Sequence, residues 1–152
     1  MVSYAPYDRE TLDLSFQWFQ DAELRSLTST PVVDRQSQES WFASLPSRKN
    51  YKIWSLRNGR RAPIGAFGLK NIVDEEAEYW GFIGDAQNWG KGFGIEMMKF
   101  AEEEASALGI KRLYLNVIFS NYRAINLYFR QGYKIMGVTL QGYRMEKVLH
   151  AV

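Results

Sequence analysis

Gln87-Asn-Trp-Gly-Lys-Gly-Phe-Gly94 is the stretch around which the chain is organised. Glycine at positions 90, 92 and 94 makes a loop that can take positive φ and lets a ligand touch bare backbone, because no Cβ blocks the approach. Upstream, Ala77-Glu-Tyr-Trp-Gly-Phe-Ile-Gly84 reads as a strand; downstream, Ile95, Met98, Ala101, Ala105 and Leu108 recur at helical spacing. Where a glycine loop feeds a helix N-terminus, free N–H groups and the positive end of the helix dipole converge on one point. That arrangement suits a phosphate or pyrophosphate. The stretch therefore predicts an anion-binding strand–loop–helix corner.

Working outward, Gly109 closes the helix as a C′ residue. Arg112–Phe119 then has the β-branched and aromatic content of a buried strand. A helix separates it from 77–84, so the two strands should run parallel, as a βαβ unit. Ser120 or Asn121 can cap a following helix, Ala124–Arg130, which Gly132 ends. Tyr133–Thr139 and Tyr143–Leu149 read as a closing pair of strands. Before the loop, Tyr51–Leu56 alternates with period two, Asn58-Gly59 is a hairpin signal, and Ile64–Leu69 supplies the returning strand. Asn71–Glu76 reads as the next turn, and Gly81 inside the third strand predicts a bulge. At the start of the chain, Asp8 caps a helix carrying Leu12, Leu14, Phe16, Trp18 and Phe19. A second helix runs from Asp34 or Gln36 to Leu45, with Ser26–Pro31 as a loop. Helices, an antiparallel meander, one crossover, a helix and a hairpin make an α+β class with a mixed, mostly antiparallel sheet flanked by helices, in a single domain over 1–152.

Composition narrows the function. With 19 basic and 17 acidic residues the formal charge is +2, and no long basic run supports nucleic-acid or membrane-surface binding. Cysteine is absent, which excludes disulfides, thiolate metal sites and a covalent cysteine intermediate. The one histidine, His150, lies almost at the end and reads as a solvated terminal residue. No metal site is expected. No apolar run approaches the ~20 residues of a membrane span, and a cytoplasmic location is the expectation. A homodimer, the commonest homo-oligomer, stays open.

The glycine loop fits neither dinucleotide nor mononucleotide templates. It reads G-x-G-x-G where a Rossmann turn needs G-x-G-x-x-G, and the following strand carries Asn116 and no acidic residue for a ribose. G-x-x-x-x-G-K-[ST] is not matched. A tight βα turn with no ligand remains the bland alternative. Trp89-Gly-Lys-Gly-Phe-Gly94, followed by Asn121-Tyr-Arg-Ala-Ile-Asn126-Leu-Tyr128-Phe-Arg-Gln-Gly132-Tyr133, resembles the GNAT superfamily of acetyl-CoA-dependent N-acetyltransferases. The likeness is closest from Glu78 to Tyr133 and extends by element order over nearly the whole chain.

That resemblance implies acetyl-CoA as cosubstrate, with backbone of Trp89, Gly90, Lys91, Gly92, Phe93 and Gly94 on its pyrophosphate. It also implies splayed parallel strands, with backbone near Ile83 and Gly84 pairing with the pantetheine arm and an amide from Phe82 to Gly84 facing the oxyanion. Tyr128 matches the general acid for the departing thiolate, although a tyrosine on an apolar helix face also suits core packing. Glu78 is the candidate base, with a solvated strand carboxylate as its alternative. Asn121 caps a helix and can order a water. Asn121 and Asn126 are candidate cofactor contacts, with bracing of the helix as the alternative for Asn126. Without cysteine, direct attack of a primary amine in a ternary complex is expected.

The acceptor is the least readable part. Trp18 and Trp41 suit stacking on a sugar or nucleobase, or plain core packing, and Asp74-Glu75-Glu76 is the compact acidic cluster that a polyamine site would use. The expected acceptor is a nucleotide-linked amino sugar, with a peptide N-terminus or a polyamine as alternatives. A protein that binds acyl-CoA without turnover is the competing class.

Overall fold

The computed structural model describes residues 1–150. Strand β1 (Ser3–Pro6) leads into helices α1 (Arg9–Trp18), α2 (Ala22–Leu27) and α3 (Arg35–Ser44). The meander β2 (Lys52–Arg57), β3 (Pro63–Val73) and β4 (Glu76–Ile83) follows. Helix α4 (Phe93–Ala107) crosses to β5 (Arg112–Ile118), and α5 (Tyr122–Arg130) precedes β6 (Lys134–Val138) and β7 (Gly142–Val148). The seven strands form one sheet in the order β1-β2-β3-β4-β5-β7-β6, antiparallel except for the parallel pair β4/β5. This is the expected α+β architecture. Among the described residues no helix is long and apolar enough to cross a membrane.

Local chemistry accounts for most element ends. Asp8, Asp34 and Asn121 each cap a helix by accepting an amide of the first turn, from Thr11, Ser37 and Ala124; such a cap is worth about 1 kcal/mol. Gly109 and Gly132 take φ of +81° and +93° just past α4 and α5, the left-handed conformation that lets the last carbonyls find partners. One face of the sheet packs Phe67, Leu69, Leu113, Leu115 and Met145 against Met97, Met98 and Ala101 of α4 and Ile125 of α5. On the opposite face α1 is held to β2 by the buried bond from Thr11 Oγ1 to Ser55 Oγ, 2.9 Å.

Two expectations need correction, and one strand has no counterpart among them. β1 pairs with β2 although its four residues include a proline, which is tolerated because the strand lies on the sheet edge. Ser26 and Leu27 belong to α2 instead of a loop, capped by Asp21. The bulge is not at Gly81, which sits in regular register opposite Phe67. A Cβ there would come within 3.0 Å of Phe67 Cβ and Met97 Cε, so glycine serves close packing. The ladder shifts instead between Lys70 and Val73 on β3, where Asn71 has φ of +53°. The turn that follows places Asp74 and Glu75 at φ of +50° and +67°, the primed-turn geometry that matches strand twist.

Candidate active site

β4 and β5 pair only over Glu76–Glu78 and Arg112–Tyr114, and then diverge. Gly84 N–H donates to Ile64 O at 2.8 Å. By the alternation of an antiparallel ladder, Phe82 and Gly84 therefore direct their amides to β3, while Gly81 and Ile83 aim theirs into the gap toward β5. The oxyanion donor expected somewhere in Phe82–Gly84 narrows to Ile83 on this geometry. Gly84 is also covered: a Cβ on it would collide with the Trp18 indole, so Trp18 packs on the strand end instead of facing a substrate.

The glycine loop follows directly. Asp85 caps a short 3-10 turn, Ala86–Asn88, and Trp89 Nε1 donates to Ile83 O at 2.9 Å, folding the loop back onto β4. Gly90 and Gly92 take φ of +74° and +84°. Gly92 is the residue before α4 and no side chain caps that helix start, so its first-turn amides are uncommitted to any capping group. A Cβ on Gly94 would come within 2.9 Å of Leu127 Cδ1, which brings α5 against the helix start. From α5, Arg123 lies over the Trp89 ring at 5.7 Å. Uncapped amides, a helix dipole and the Arg123 and Lys91 cations fit a pyrophosphate. Asn126 is exposed and three residues from Arg123, hence on the same side of α5.

Beyond the gap lies a cavity of about 880 Å³. Tyr128 and Asn121 line it from α5, Glu78, Trp80 and Phe82 from β4, and Tyr7, Trp41 and Tyr51 from the N-terminal half. Burial pushes the Tyr128 hydroxyl up to about 12. It therefore stays protonated at neutral pH, and it makes no hydrogen bond to a described residue. Glu78, 15% exposed, accepts from Asn71 Nδ2 at 3.2 Å and from Asn116 Nδ2 at 3.5 Å, with Lys70 Nζ 3.6 Å away. The β3 bulge is what turns Asn71 onto it. Asn121 donates to Leu27 O at 3.2 Å, tying α5 to the end of α2.

The Asp74-Glu75-Glu76 cluster is not in the cavity. Glu75 pairs with Lys111, and Glu76 with Arg112 and Arg144, at the far end of the β3/β4 hairpin. Lys70, Tyr51 and Trp80 line the cavity and Arg123 flanks the glycine loop, and the sequence reading singled out none of them for the candidate site. Lys70 and Trp80 share a sheet face with Glu78 through cross-strand register, which no local motif encodes. No described group of three or more His, Cys, Asp or Glu could hold a metal ion.

Residues 9–133 match the acetyltransferase (GNAT) family. No curated protein is similar enough to match. Among solved structures, the spermidine N-acetyltransferase from Vibrio cholerae in complex with CoA and spermine superposes with a TM-score of 0.90 at 17% identity, covering 99% of this chain and 96% of that one. An aminoglycoside acetyltransferase in complex with coenzyme A gives 0.80 at 16% identity over 97% and 95%. The PaiA N-acetyltransferase from Thermoplasma acidophilum in complex with coenzyme A gives 0.76 at 17% over 97% and 99%. Likenesses at such identity speak to the fold, whereas the family match covers most of the chain. The chain belongs to the acetyltransferase (GNAT) family.

Proposed function

We propose that this acetyltransferase moves the acetyl group of acetyl-CoA to the primary amine of a nucleotide-linked amino sugar. The observation that carries the acceptor reading is the cavity that runs from Tyr128 to a wall of Tyr7, Trp41, Tyr51 and Trp80, with Lys70 and Glu78 between them. Aromatic faces suit sugar rings and bases, and a mixed pair of charges suits an acceptor carrying both an ammonium and an anion.

In this reading the amides from Trp89 to Gly94 and the Arg123 guanidinium hold the pyrophosphate. The Gly81 and Ile83 backbone takes the pantetheine arm as an added strand. Glu78, oriented by Asn71 and Asn116, takes the proton of the acceptor ammonium directly or through water. The freed amine attacks the thioester carbon, and the Ile83 amide faces the developing oxyanion. As the C–S bond breaks, Tyr128 gives its proton to the thiolate and regains one, directly or through water, from the attacking nitrogen, which sheds its second proton to leave a neutral amide and CoA. Asn121 orients the start of α5, and Asn126 is placed to contact the cofactor from the Arg123 side.

A second reading, a polyamine or another small polycation, is favoured by Asp34 and Glu78 on the cavity lining and by the acceptors of the similar structures. The test is thiol release from acetyl-CoA with nucleotide-linked amino sugars, simple amino sugars, spermidine and peptides, followed by mass spectrometry of the product from a cell extract. The highest kcat/KM should fall on a nucleotide-linked amine. Preference for spermidine would install the second reading instead.

A further inference from the structure

Lys70 is the only cation among the described residues lining the cavity; the other charged residues there are Asp34 and Glu78. Its ammonium lies 3.6 Å from Glu78 Oε2, beyond a good hydrogen bond. It makes this long ion pair and no hydrogen bond to a described group. Glu78 also accepts from Asn71 at 3.2 Å and, at a long 3.5 Å, from Asn116. The Lys70 side chain is 38% exposed, directly opposite Glu78 on β3/β4 and one step along the face from Trp80. Beside Trp80, with one carboxylate at 3.6 Å and no hydrogen bond to a described group, the ammonium has donors free for an anion that enters the cavity.

We propose that Lys70 is the specificity-determining residue of the acceptor site and reads the diphosphate of the acceptor, while Glu78 receives the amine. This rests on the amino-sugar reading above and extends it to a named residue. Lysine fits the task as a point charge on a flexible stem, able to follow phosphate oxygens without a fixed fork. The same charge disfavours polycations, whose second ammonium would have to lie beside it.

The test is a binding titration with CoA held at saturation, so that the glycine loop cannot take the probe. Uridine diphosphate, thymidine diphosphate and their parent nucleosides are titrated into the wild type and into Lys70→Met and Lys70→Arg, read by the fluorescence of Trp41 and Trp80 and by calorimetry. A diphosphate preference of about tenfold or more is expected in the wild type. Lys70→Met should abolish it and Lys70→Arg should keep it, with thermal melting of both variants unchanged. A wild type that does not distinguish diphosphate from nucleoside, or a Lys70→Met protein that keeps the preference, overturns the assignment. Since the titration involves no turnover, an intact preference alongside failed amino-sugar acetylation would overturn only the acceptor reading.

Discussion

Gly92 and Gly109 form a matched pair that separates the backbone cost of a glycine from the role proposed for Gly92 at the cofactor. They stand at φ of +84° and +81°, one before α4 and one after it, and a Cβ at either would meet nothing within 4 Å. Alanine at either position therefore introduces no clash and pays only for the left-handed backbone, about 1–2 kcal/mol. For a chain of this size that corresponds to a fall in Tm of roughly 2–4 °C per kcal/mol, equal for Gly92→Ala and Gly109→Ala. They should part on binding. Relief of strain at Gly92 moves the first amides of α4, and each charge-assisted bond they would give a pyrophosphate is worth about 1.5–3 kcal/mol. Losing one raises the Kd for CoA at least about tenfold. Calorimetric titration with CoA, and with pantetheine as a ligand that lacks the pyrophosphate, gives the readout alongside a thermal melt. Equal melting losses with CoA affinity untouched in Gly92→Ala would refute the pyrophosphate grip, as would an equal weakening of pantetheine.

Tyr128→Phe removes a hydroxyl that bonds to no described residue, so the melt should move little, while kcat falls by about 10²–10³ with KM for acetyl-CoA nearly constant; unchanged turnover at neutral pH would exclude Tyr128 as the acid. Burial raises Tyr7, Tyr51 and Tyr128 to about 12 from an ordinary 10. Their unionised forms favour the fold fully below pH 10, and each adds about 1.4 kcal/mol per pH unit to the loss of stability between pH 10 and 12, measurable by denaturant melts across that window. Asp8 both caps α1 and pairs with the 13%-exposed Arg57 at 2.7 Å. Asp8→Ala should cost about 2 kcal/mol in urea unfolding and Asp8→Asn, which keeps a cap acceptor, about half of that.

The fold was legible where a residue's chemistry acts on its own backbone. Asp8 and Asn121 cap the helices expected of them, Gly109 and Gly132 end helices at positive φ, and the βαβ order alone required β4 and β5 to be parallel. Legibility failed where the cause is tertiary. β1 has too few residues to show a period and exists because β2 offers an edge. Gly81 looked like a bulge because a strand glycine has several explanations, and only the packing of Phe67 and Met97 selects among them. At the site, Tyr128 and the glycine loop lie in contiguous motifs. Arg123 lies in the same motif as Tyr128 but shows its place only through the packing of α5 on the loop, and Lys70 and Trp80 reach the site through cross-strand register, which carries no local signal.

The gap between β4 and β5 explains why several of these features occur together. A parallel pair that stops after Glu78 and Tyr114 leaves Gly81 and Ile83 amides without strand partners, and an unmet amide away from water costs about 1–3 kcal/mol. The two strands are tied at their paired end, and contacts on the β4 side occupy its free end. Glu75 O accepts from both Lys111 N and Arg112 N, which pins the start of β5 to the β3/β4 turn. Trp18 lies across Gly84, and Trp89 Nε1 occupies the Ile83 carbonyl that would otherwise face β5. The Asn71 bulge twists β3 at the point where pairing ends and delivers an amide to Glu78. The sheet is thus held one strand short beside the carboxylate and the buried tyrosine, and an extended ligand that supplies backbone-like acceptors along β4 would complete it.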